Sequence, residues 1–301
     1  MELSDLGFAR KHLMRLIRFN HGATTYSGVL TGNGVIPTVA INARTGIQVP
    51  DNLLDLIRHG VESLRDLPSD IESIPLAEIT PLLPYDNPPK LWLIGLNYKS
   101  HAEDINAVQP EEPGSFMKPA SCMFQPEGTI ELPPPEISND VDAEGELAVI
   151  IGKKCRYVPR EYVNEVIFGY TVTLDLTALD VLRKNPRYLT RAKSIDTFFS
   201  FGPVIVTKDE IPDVNGLEVI TEHNGTICSR DFVRNMRTPP HELVRFHSDF
   251  MTLEPGDLIS TGCPKGARIK PGDHVRGRIE GIGSIGAHVK QGVRRDWQPS
   301  I

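Results

Sequence analysis

Two glutamates stand two residues apart in the stretch DAEGELAVIIG, residues 142–152. Successive side chains of an extended strand alternate faces, so Glu144 and Glu146 project the same way, a few ångströms apart. Carboxylates that close repel and raise each other's pKa. A fold tolerates this when a hard cation, a shared proton or a basic partner sits between them. A third acid, Asp175, lies in GYTVTLDLTALD, another run of β-branched and apolar residues. Three carboxylates projected from strands, with no Cys or His spacing nearby, suit Mg²⁺ or Mn²⁺, which prefer oxygen ligands and retain open water positions. The competing reading is an edge strand whose acids merely face solvent, and spacing alone does not choose between them.

Two more groups carry potential chemistry. In the segment HAED, His101 and Asp104 would sit at i and i+3 of a helix, near enough for a proton-transfer pair, although a solvated helix face accounts for the same letters. In RAKSID, Lys193 offers a cation able to orient a carbonyl or carboxylate, and an exposed lysine is an equally good reading.

The elements that must position these groups are mostly strands. LWLIGL (91–96) is an apolar run of strand length that leads through a loop into HAED. The acidic run, the Asp175 run, FGPVIV, and LEVITEHNGTICS also read as strands. The last folds at Asn224-Gly225, a two-residue hairpin turn needing positive φ at both positions. Residues 240–250 form a helix with Leu243, Val244, Phe246 and Phe250 inward, and MTLEPGDLISTG runs from turn into strand. GIGSIG (281–286) superficially matches a dinucleotide loop, but no helix pattern follows it, so it carries no such function.

Upstream, residues 16–48 contain the short β pieces RLIRF, TYSGVL and VIPTVAI, residues 52–67 carry apolar positions at helical spacing, and Pro81, Pro84, Pro88 and Pro89 punctuate a linker. The expectation is a small N-terminal β-rich α/β module with one helix over 1–88, followed by the catalytic domain over 89–301. The whole is a mixed, largely antiparallel β fold with few short helices.

A net charge of −7 over 301 residues, with no dense basic run, argues against a nucleic-acid partner. Cys122, Cys155, Cys228 and Cys263 are scattered without pair spacing, which indicates neither a zinc motif nor a disulfide framework. No apolar stretch approaches the roughly 20 residues of a membrane span. The basic start MELSDLGFARKH includes Glu2 and Asp5, unlike a mitochondrial presequence, so a cytoplasmic protein is expected.

Taken together and in order, IGLNYKSHAED, FMKP, EGELAVIIG, IFGYT, LDLTALD, AKSIDTF, FGPVIVT, HNGT and MTLEPGDLISTGCPKG resemble the fumarylacetoacetate hydrolase family over about residues 90–290. The resemblance implies a β-roll core, a homodimer, and a divalent metal, Mg²⁺ or Mn²⁺, on Glu144, Glu146 and Asp175, with no organic cofactor. It also implies a catalytic pair at His101 and Asp104 and an active-site lysine at Lys193. Members cleave the C–C bond of 1,3-dicarbonyl acids such as acylpyruvates, and relatives decarboxylate 2-oxo acids. The implied partner is a small oxo-acid or diketone.

Several positions depart from the family pattern. Asp104 stands where a glutamate is usual, shortening the reach by roughly 1.5 Å. The usual arginine after the metal aspartate is Leu179, the polar residue three further on is Leu182, and the threonine of the TGTP turn is Cys263. These changes remove a fixed charge and a hydroxyl donor, which implies a less acidic substrate than fumarylpyruvate. Hydrolysis of a C–C bond is the first expectation, because the His–acid pair survives in kind. Decarboxylation of a 2-oxo acid such as oxaloacetate is the second, since it needs no activated water, and a non-catalytic binding protein on the same fold is the third.

Overall fold

A computed structural model of the chain describes residues 14–32, 34–104 and 106–294. Residues 1–13, which include Glu2 and Asp5, lie outside them. Among the described residues no helix is long and apolar enough to cross a membrane.

The centre of the fold is the antiparallel pair of strands Val141–Ile151 and Ile167–Ala178, in which every residue is buried. Burial on both faces explains why these stretches read as nearly continuous apolar runs. They lie inside a twelve-stranded sheet. On one side Leu258–Ser260 pairs antiparallel with the acidic strand and parallel with Leu91–Gly95, which pairs in turn with Gly114–Lys118. On the other, Val204–Thr207 joins the Asp175 strand to Arg15–His21. A second sheet of five strands includes Glu218–His223, His274–Ile279 and Gly283–Gln291.

The two sheets meet where glycine lies on glycine. Gly145, between the two glutamates, turns away from them, and its N–H donates to Thr221 Oγ1 at 3.0 Å. A Cβ added at Gly145 would stand 3.0 Å from the Gly277 Cα and 2.8 Å from that hydroxyl, so only glycine permits the approach. The E-G-E spelling therefore serves both faces of one strand.

The N-terminal strands are continuous with the larger sheet. Arg15–His21 pairs with both Thr24–Thr31 and Val204–Thr207, and Leu16, Ile41 and Leu53 pack in one cluster with Leu91, Ile150 and Phe199. Strands on either side of residues 88–89 thus share one sheet, and residues on both sides share one apolar cluster.

Local readings need three corrections. VIPTVAI is strand only through Pro37, and Thr38–Thr45 is a helix. Pro37 presets the extended backbone before it, and Gly46, at φ 75°, ends it in the left-handed region. The single helix expected over 52–67 stops at His59, capped by the Asn52 side chain on the N–H groups of Leu54 and Asp55. Gly60 (φ 92°) breaks it before a short 3₁₀ turn, Glu62–Leu64. The helix Pro240–Phe250 has the expected bounds, but Phe250 is half exposed and His247 fills the buried position instead. The hairpin at Asn224 (φ 50°) and Gly225 (φ 77°) is as expected, and GIGSIG is a strand reversal with no helix after it among the described residues.

Candidate active site

The acidic strand sets the site. Its register places Glu144 opposite Asp175 and Glu146 opposite Thr173, so alternation and cross-strand pairing together bring the three acids to one point. One carboxylate oxygen from each lies within 4.8 Å of the others, and all three residues are buried. Glu144 accepts from Thr177 Oγ1 at 2.6 Å and from Lys193 Nζ at 3.1 Å. Glu146 accepts from Ser260 Oγ at 2.5 Å and from the Gly262 N–H at 3.0 Å. Asp175 lies between two ammonium groups, with Lys193 Nζ at 2.5 Å from one oxygen and Lys118 Nζ against the other.

Lys193 reaches the acids from the end of the short helix Leu189–Lys193 and also lies 5.0 Å from the Phe116 ring centre. Burial works against its charge, but Asp175, Glu144 and Glu146 hold it protonated well above the usual lysine range. Lys118 ends the strand Gly114–Lys118 with its side chain wholly enclosed, and it donates to the carbonyls of Phe198 (2.6 Å) and Leu176 (3.1 Å). Burial lowers its pKa, and Asp175 opposes that fall.

Three carboxylates and two ammonium groups leave one negative charge uncompensated. The deficit falls on Glu146. Burial, with the charges of Asp175 and Glu144, pushes its carboxyl up to about 8, so it keeps a proton at neutral pH. Glu144 goes the other way: burial would raise it, but Lys193, His101 and the Thr177 hydroxyl bring it below the usual carboxylate range. A buried, oxygen-only donor set that lacks a positive charge when fully ionised fits Mg²⁺ or Mn²⁺.

His101 comes from the helix Lys99–Asp104, anchored at its entry by Asn97. That side chain donates to the carbonyls of Thr261 (2.8 Å) and Thr238 (3.0 Å) and accepts the Thr238 N–H. The helix turns His101 inward, with Nδ1 3.8 Å from Cys263 Sγ, and turns Asp104 outward, where its carboxylate pairs with Lys265 at 2.7 Å. Burial holds the imidazole below its usual pKa, although Glu144 and Asp104 pull the other way, so it is neutral at pH 7 and able to accept a proton.

These groups share one cavity of about 590 Å³, lined by His101, Asp104, Glu144, Glu146 and Lys193 and walled by Leu179, Leu182 and Cys263. Arg183 and Arg268 line it too. Arg183 follows Leu179 by one turn of the helix Leu179–Lys184, so the charge missing at 179 returns on the same face. Both arginines are held by Asp140, and Arg268 also pairs with Asp142. Sequence reasoning missed Lys118, although FMKP contains it, and missed Arg183, which the helical period from Leu179 would have found.

A family model described as fumarylacetoacetate (FAA) hydrolase C-terminal matches residues 90–290. The chain belongs to the fumarylacetoacetate hydrolase family. A mitochondrial oxaloacetate tautomerase from Bos taurus is 34% identical over 287 residues, 90% of either chain. Among solved structures, maleylpyruvate hydrolase from a Sphingobium species, in complex with manganese(II) and pyruvate, is 32% identical. That match has a TM-score of 0.75 and covers 93% of this chain and 100% of that one. A fumarylacetoacetate hydrolase from Exiguobacterium antarcticum reaches a TM-score of 0.80 at 30% identity over the same shares. The mostly β fold with few short helices is thus the family's own.

Proposed function

We propose that this protein is a divalent-metal-dependent enzyme that hydrolyses a C–C bond in an acylpyruvate-like 1,3-dicarbonyl acid. The observation that carries the reading is the convergence of the three acids, Lys193 and the neutral, buried His101 on one cavity. Glu144, Glu146 and Asp175 would hold Mg²⁺ or Mn²⁺. When bound, the ion would polarise the 2-oxo oxygen and offset the negative charge developing there as the bond breaks.

The chain's own residues supply the rest. Lys193 pairs with Glu144 and Asp175, favours the ionised form of Glu144, and presents fixed positive charge to the substrate. His101 takes a proton from water at one of its ring nitrogens and returns it to the departing carbon. Asp104, one helical turn away, favours the imidazolium through space. Leu179 and Leu182 exclude bulk water from the reacting end, which strengthens every charge interaction there. Where Leu179 and Cys263 led to the expectation of a less acidic substrate, Arg183 and Arg268 favour one with a second carboxylate. We assign the protein to the cytoplasm and to a homodimer as parts of the same reading, the latter tested by light scattering.

A second reading is proton transfer without hydrolysis, as in tautomerisation or decarboxylation of a 2-oxo acid. The Asp104–Lys265 ion pair favours it, because that carboxylate is not hydrogen-bonded to His101. The test is turnover of Mn²⁺-loaded protein on acylpyruvates and oxaloacetate, with products identified by mass. Two fragments with water added support hydrolysis, and carbon dioxide or an exchanged C–H without cleavage supports the second reading. For either, His101→Ala should lower kcat about 10²- to 10⁴-fold with Mn²⁺ affinity retained. Wild-type turnover in that variant would remove His101 from the mechanism.

A further inference from the structure

Beside the three acids the cavity holds a second constellation with different chemistry. His101 Nδ1 stands 3.8 Å from Cys263 Sγ. One ligand atom each from His101, Glu144 and Cys263 lies within 4.8 Å of the others, and all three residues are buried. In tetrahedral zinc sites, with Zn–N about 2.05 Å and Zn–S about 2.3 Å, the nitrogen and sulfur stand about 3.6 Å apart. The pair is therefore already close to ligand spacing, joined by a weak thiol–imidazole hydrogen bond that a cation would replace.

We propose that His101, Cys263 and Glu144 form a binding site for a thiophilic divalent cation of the Zn²⁺ or Cd²⁺ kind, adjacent to the oxygen-only site and sharing Glu144 with it. The donor types separate the two ions. Thiolate and imidazole suit zinc and cadmium, whereas Mg²⁺ requires oxygen and has little use for sulfur. The family's usual threonine at 263 supplies no sulfur, so the site belongs to this chain's own substitution. His101 and Cys263 both line the cavity, which gives an ion its route in and leaves a coordination position facing the open space. Burial keeps the Cys263 thiol protonated until a cation displaces that proton to solvent on binding. An ion here takes the His101 lone pair and fixes the ring, so on the function proposed above zinc switches the enzyme off even where Mn²⁺ is abundant.

The primary test reads binding rather than turnover. Protein saturated with Mn²⁺ is titrated with Cd²⁺ in a Cys228→Ser background, which removes the exposed thiol, and the near-ultraviolet thiolate-to-cadmium absorption is followed. One equivalent of Cd²⁺ should develop the band. Cys263→Ser should abolish it, His101→Gln should weaken the affinity at least tenfold, and Asp175→Asn should retain it, because Asp175 serves only the oxygen site. A band that survives Cys263→Ser, or no band in the background protein with its near-ultraviolet circular dichroism intact, overturns the proposal. Zinc inhibition is scored separately. If the Cd²⁺ band behaves as expected but Zn²⁺ leaves turnover untouched, the site stands and the role given to His101 falls.

Discussion

Lys118 is the residue on which the charge balance of the site turns, and Lys118→Met isolates its part. Its ammonium is wholly enclosed against an Asp175 carboxylate that is 1% exposed, and it also serves the carbonyls of Leu176 and Phe198. Methionine preserves the length of the side chain but leaves that oxygen of Asp175 without its cation. Removing one partner of a buried ion pair costs about 3–5 kcal/mol. At about 2–4 °C per kcal/mol, the metal-free variant should melt about 6–20 °C below wild type by differential scanning calorimetry. With Glu146 protonated at neutral pH, the same change takes the group from balance to one uncompensated negative charge, with only Lys193 left to oppose Glu144 and Asp175. Mn²⁺ should then stabilise the variant more than wild type; a site filled to 100 times its Kd contributes about 2.7 kcal/mol, and tighter binding contributes more. A metal-free variant melting within about 2 °C of wild type would refute the assigned cost. An Mn²⁺ response no larger than wild type would refute the charge count.

Three further outcomes follow from the same geometry. Arg183→Met should raise KM for dicarboxylic 2-oxo acids about tenfold, equivalent to about 1.4 kcal/mol of lost binding, while leaving monocarboxylic acylpyruvates unchanged; equal effects on the two classes would remove Arg183 from recognition. Chelation of the divalent ion should abolish turnover and be reversed by Mn²⁺ in wild type but not in Glu146→Gln, as followed by activity and bound-metal analysis. His247 should make stability acid-sensitive. Burial holds its imidazole below the usual range against Trp92, Phe246 and Phe250, with Nδ1–H donating to the Leu243 carbonyl at 2.6 Å. The unfolded chain therefore binds the proton first, so this contribution is complete above about pH 6.5 and declines by up to about 1.4 kcal/mol per pH unit below it, down to the folded-state pKa. Urea titrations at pH 7 and pH 5 should show a shallower acid loss in His247→Phe, and an identical loss would mean that other groups carry it.

The sequence exposed those parts of the site in which chemistry and spacing lie on one element. Glu144 and Glu146 were legible because strand alternation turns a spacing of two into a shared face, and Asp175 because its own strand was readable; their convergence then needed only the pairing of two long buried strands. Contacts between distant elements were not legible. The i, i+3 spacing of His101 and Asp104 gave proximity, but the Asp104 carboxylate is taken by Lys265 from the turn beyond Cys263, which no helical wheel contains. Lys118 shows only an apolar strand end in sequence, and its meaning depends on Asp175 and two carbonyls from other strands. The proline-rich stretch before residue 89 marked a change of composition, but hydrogen bonds from Arg15–His21 to Val204–Thr207 cross it. Leu179 shows the same limit, because a missing arginine at one position does not by itself fix the charge of the pocket. A pocket senses charge by position in space, and one helical turn brings Arg183 to the same wall. Substitutions in a family motif therefore acquire chemical meaning only after the neighbouring turn and the facing strand have been read with them.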